Sequence, residues 1–155
     1  MNDRLIRLLH AGNYSCVVSK DDETRTFTRR GVIDLFELYC NDPAFMEGAE
    51  VADKVIGKGA AAVLALGKAA EVWADVMSEP ACELLRKSGI KTGCAEKTAF
   101  IVNRTHTGRC PLETLCDASD SPEELYPVIC RFVERIKEGE SPSAPKEQQT
   151  NDTNQ

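Results

Sequence analysis

The sequence predicts an α/β domain of three layers, helix on sheet on helix, around a mixed β-sheet of about five to six strands. Three patterns predict it. Strand-like and helix-like segments alternate from Ala49 to Gly89, a hairpin pattern precedes them at residues 15–28, and amphipathic helices stand at both ends. The chain has 155 residues, 42% hydrophobic and 28% charged. That suits one domain, and a chain of this length buries roughly two-thirds of its unfolded surface without disulfide staples.

A first short helix is expected over Arg4–Ala11. Asp3 caps it, Leu5, Ile6, Leu8 and Leu9 share a face, and Gly12 ends it. Ser15–Ser19 reads as a strand, Lys20 to Glu23 as a polar turn, and Thr24–Thr28 as the returning strand. Gly31–Cys40 has helical spacing and is stopped by Asn41-Asp42-Pro43. Glu50–Val55 is a strand, Gly57-Lys58-Gly59 opens a helix that Gly67 closes, and Glu71–Met77 is the next strand. Ser78-Glu79-Pro80 starts a helix running to Gly89, with Pro80 in the first turn, where a missing N–H does no harm. This alternation implies parallel strands with right-handed crossovers. Ile90–Cys94 and Thr98–Val102 read as two strands joined by Ala95-Glu96-Lys97, and so short a link makes them antiparallel.

A loop over 103–109 leads to a short helix, Cys110–Cys116. The last helix has Ser121 as its cap, Pro122 first and Glu124 completing a capping box; Leu125, Val128, Ile129, Phe132, Val133 and Ile136 make its apolar face. Pro127 predicts a kink there. Residues 1–139 form the expected domain; the tail 140–155 has almost nothing to bury and is expected to be disordered.

The formal net charge is −6. An acidic body argues against nucleic acid as a partner, because that binding needs Lys and Arg on phosphates. No run approaches the ~18 apolar residues of a membrane span, and the N-terminus lacks the pattern of a signal peptide. A cytoplasmic location is therefore expected, and an odd number of cysteines, seven, fits a reducing compartment.

Two stretches carry a family likeness: Val51–Leu64 (VADKVIGKGAAAVL), and Ala74–Leu85 (ADVMSEPACELL) taken with Thr107–Glu113 (TGRCPLE). Together they resemble the bacterial and archaeal domain-of-unknown-function family numbered 1893, and that resemblance implies a cytidine-deaminase-like fold over roughly residues 1–117. A zinc deaminase sets a His or Cys, then Ala-Glu, at the start of one helix, and Pro-Cys-x-x-Cys at the start of the next. Here the first position falls within Asp53 to Lys58, which offers no His, Cys or Glu. The second falls at Glu79 to Leu84, where Pro80 is kept but Cys82 sits one place late and no second Cys follows. Zinc needs four converging ligands, so neither a metal nor any other cofactor is expected.

In open α/β sheets ligands gather where strands end and helices begin. Three such junctions carry the candidates. At the first, Asp53, Lys54, Gly57, Lys58 and Gly59 would bind a small anion: glycines let backbone N–H groups approach it, and a helix N-terminus is partly positive. The plain alternative is a tight turn with solvated lysines. At the second, Glu79 would act as a general base or hold a lysine, or serve only as a helix-start carboxylate. At the third, Arg104 adds charge for the ligand, and Cys110 and Glu113 resemble a capping box with Cys as the cap. A thiol there, beside Arg109, is a candidate nucleophile, with His106 as a base if the loop folds back. Its alternative is a semi-exposed structural thiol. The other six cysteines read as small core residues, and His10 as a C-terminal cap.

Three functions compete. One is a module binding a small anion, phosphate- or nucleotide-like. Another is an enzyme with Cys110 as nucleophile or redox thiol and Glu79 or Glu113 as acid or base. The last is an interaction protein, a homodimer.

Overall fold

The computed structural model describes residues 3–29, 31–102, 108 and 110–139. Five strands form one mixed sheet in the order β2-β1-β3-β4-β5. β1 (Cys16–Lys20) and β2 (Glu23–Phe27) form an antiparallel hairpin that pairs Lys20 with Glu23. Asp21 takes φ 54° in its two-residue turn, the left-handed conformation that short hairpin turns require and Asp tolerates. β1 also runs antiparallel to β3 (Glu50–Ile56), whereas β3, β4 (Glu71–Ser78) and β5 (Lys91–Thr98) are parallel.

The two faces of the sheet are covered unequally. Among the described residues, α1 (Asp3–Ala11) covers one face, where Leu5 and Leu9 pack on Val17 and Ala52. The other carries the main core, built with α2 (Ile33–Asn41), α3 (Pro43–Met46), α4 (Lys58–Leu66), α5 (Glu79–Lys87), α6 (Pro111–Leu115) and α7 (Pro122–Lys137). α4 lies at its centre. All seven residues from Lys58 to Leu64 are buried, as befits a helix enclosed by α2, α5 and α7.

Element identities agree with the sequence patterns, with three corrections. Ala95 to Lys97 is no turn. β5 is one continuous strand of eight residues, parallel to β4, and Thr98–Val102 is not a returning partner. None of residues 95–97 has positive φ, and staying extended keeps seven residues of β5 paired with β4. The second correction is α3, a turn of helix directly after the expected stop, which begins at Pro43 because proline fits a first helical position. At α7 the Ser121 Oγ accepts from Glu124 N, but the Glu124 carboxylate accepts from Ser119 Oγ instead of closing a capping box. Pro127 lies inside α7, which continues on both sides of it. The tail expected from Glu140 lies outside the described residues. Among the described residues no helix is long and apolar enough to cross a membrane.

Candidate functional site

β3 and β4 end side by side, and the helices that follow them, α4 and α5, start there. Gly57 is the N-cap of α4, and Ser78 is the N-cap of α5, its Oγ accepting from Ala81 N at 3.2 Å. Into this corner α6 inserts Glu113, whose side chain is 1% exposed. Its Oε2 accepts from Lys58 N at 3.0 Å and from the Ser78 hydroxyl, and its Oε1 accepts from Ile101 N at 2.5 Å. The buried carboxylate thus ties together the start of α4, the cap of α5 and the segment after β5. Three donors and a helix N-terminus offset the cost of taking it out of water.

The glycines serve this insertion. A Cβ on Gly59 would meet Leu112 Cδ2 at 2.4 Å, and one on Gly57 would lie 3.3 Å from Glu113 Oε2. They let α6 approach α4. Lys58 contributes its side chain as well: the stem is buried, and Nζ bonds Asp120 Oδ1 at 2.8 Å. The ammonium beside it holds the Asp120 carboxyl below its usual range, although Asp120 itself is 79% exposed. Cys116 is fully buried next to this centre; burial pushes its thiol up to about 12, and the nearby Lys58 charge offsets only part of that.

Gly57, Lys58, Gly59 and Glu113 are therefore brought together, with Cys110 one turn before Glu113 on α6. Cys110 takes the N-cap position half-buried, but its side chain makes no capping bond and its N–H goes to Ile101 O. The expected Cys110–Glu113 capping box does not form, because Glu113 turns inward to Lys58, Ser78 and Ile101. Lys54 projects elsewhere, with Nζ 2.7 Å from Asn13 Oδ1. Glu79 is exposed in the first turn of α5. Asp53 is buried further down β3, opposite Cys16. Arg104, His106 and Arg109 lie outside the described residues. His10 bonds the Asp75 carboxylate at 2.8 Å and sets its ring edge-on to Trp73. Among the other six cysteines, Cys16, Cys82 and Cys116 are buried, Cys94 and Cys130 are half-buried, and Cys40 is exposed.

Sequence reasoning missed two members of the centre, Ser78 and Asp120. Ser78 carried a signal as a helix cap. Asp120 carried none, since its pairing with Lys58 spans 62 residues. Among the described residues no group of three or more His, Cys, Asp or Glu side chains is placed to hold a metal ion.

The chain matches the model of the TM1506 family, a domain of unknown function (DUF1893), over residues 4–133. Its fold is similar to the crystal structure of a DUF1893 family protein, TM1506, from Thermotoga maritima, with a TM-score of 0.74 and 27% identity, covering 88% of this chain and 92% of that one. No curated protein matches it.

Proposed function

Since the chain belongs to the DUF1893 family, whose members share a domain of unknown function, we propose that it is a binding module for a small anion seated on Lys58 at the start of α4. One observation carries this reading. The Lys58 ammonium stands on a buried stem and is paired with a carboxylate that is itself 79% exposed. An exposed partner is held weakly and exchanges readily. A phosphate or carboxylate of a ligand takes the place of Asp120, at the positive end of α4, while Glu113 fixes the floor. The likeness to cytidine deaminases belongs to the same proposal. The paired helix starts after two parallel strands are where such an enzyme would set its zinc ligands, and here that corner carries Lys58, Ser78 and Glu113.

The test is a thermal-shift panel of inorganic phosphate, nucleotides and sugar phosphates. A ligand at about a hundred times its Kd stabilises the native state by ~2.7 kcal/mol, a shift of several degrees. Lys58→Met should abolish the shift, and Asp120→Asn should strengthen it by removing the internal competitor. A flat panel for the wild type and Asp120→Asn contradicts the proposal. It would favour the homodimer reading, for which the exposed Val55, Val102 and Leu115 offer apolar surface. The reading with Cys110 as a nucleophile has a separate test, alkylation against pH. It requires Cys110 to react well below the ~8.5 of a free thiol.

A further inference from the structure

The helical spacing of α7 that buries Leu125, Ile129 and Val133 leaves a second stripe on its outer side. Val128, Arg131, Phe132 and Arg135 stand at i, i+3, i+4 and i+7, so they share that side. With Leu115, the last residue of α6, they line a hollow of about 100 Å³. Leu115 is 47% exposed, both arginines are exposed, and Val128 and Phe132 are half-buried. Neither the apolar wall nor the charge serves the isolated chain. Like charges one turn apart weaken a helix, and among the described residues neither arginine is in an ion pair. Glu134 and Glu138 follow them three residues on, but helical spacing puts both on the side away from Val128 and Phe132. Apolar surface and positive charge therefore stand side by side, each without a counterpart.

We propose that this hollow binds a short branched-chain carboxylate, its acid on Arg131 and Arg135 and its branched end against Leu115, Val128 and Phe132. Charge complementarity asks for an anion, and a guanidinium fork takes the two oxygens of a carboxylate side by side. The volume sets the apolar part. A cavity of about 150 Å³ holds a benzene molecule, so this one holds a smaller group, an isopropyl or isobutyl. It falls well below the roughly 300 Å³ at which pockets begin to enclose a drug-sized ligand, which leaves out nucleotides and aromatic cofactors. An α-ammonium group would stand beside two cations, so the acid is preferred over the corresponding amino acid. The site is separate from the Lys58 corner: α6 sends Glu113 inward to Lys58 N and leaves Leu115 facing solvent.

Titration of the methyl- and amide-labelled chain with isovalerate, read by NMR, tests this. Saturable shifts of the Leu115 and Val128 methyls are expected, with a Kd raised about tenfold in Arg131→Gln and again in Arg135→Gln. Both arginines are exposed, so the variants should keep the fold and the wild-type spectrum elsewhere. Acetate lacks the branched chain, isoamyl alcohol lacks the charge, and leucine adds an ammonium group; each should bind at least about tenfold more weakly. Lys58→Met should leave all of this unchanged, so failure here and failure at Lys58 are told apart. Shifts that do not saturate, equal binding of acetate, or binding unchanged in both arginine variants overturn the proposal. Self-association that is lost in Arg131→Gln, without saturable binding of isovalerate, would assign the hollow to a second copy of the chain and overturn it as well.

Discussion

Glu113 shows what one residue can decide. A carboxylate at 1% exposure, facing Lys58 N, Ser78 Oγ and Ile101 N, offers acceptors only, and all three neighbours are donors. Glu113→Gln would turn an amide N–H toward one of them and leave a buried donor unpaired. The expected loss is about 2–4 kcal/mol in urea unfolding. Ser78→Ala removes both the α5 cap and one donor to Glu113, for about 1–3 kcal/mol. Losses under about half a kcal/mol in both would mean that the carboxylate does not hold this corner. The sequence placed Glu113 on α6 but predicted the wrong partner. Capping boxes are local, and the bonds that win here reach across 55 residues to Lys58 and 35 to Ser78.

At the scale of elements, periodicity and capping residues were sufficient signals wherever the decision was local. Ser121, Pro122 and the apolar stripe of α7 placed that helix correctly, and β3-α4-β4-α5 follows from strand and helix periods with glycine and proline at their ends. The one wrong strand pairing, residues 90–102, depended on whether three residues turn or stay extended. Pairing with β4 settles that, and β4 lies outside any local window. The glycines at α4 were legible as unusual but not as to cause. Gly59 faces Leu112 and Gly57 faces Ile101 and Glu113, all far beyond any local window of sequence. Gly59→Ala should therefore cost about 1–3 kcal/mol by overpacking, despite alanine's better helix propensity. Leu112→Ala should cost less in the Gly59→Ala background than alone, a coupling that a double-mutant cycle reads directly. Additive losses would show that the two side chains do not meet.

For the whole molecule, the fold brings several sequence candidates to one corner and sends others away. Lys58, Gly57, Gly59 and Glu113 converge, while Lys54 reaches Asn13, Glu79 is exposed and Asp53 is buried on β3 opposite Cys16. What remains is a cation over a closed floor, and among the described residues no group of three or more His, Cys, Asp or Glu side chains is placed to hold zinc. Elemental analysis of the purified protein should find no stoichiometric zinc, and one zinc per chain would overturn this view of the corner. The central claim, an anion on Lys58, is tested most directly by titrating 15N-labelled protein with inorganic phosphate and reading the backbone amides. Saturable shifts centred on Lys58, Gly59 and Asp120, lost in Lys58→Met, are predicted. Shifts that scatter over the surface without saturating, or that persist in Lys58→Met, would contradict it.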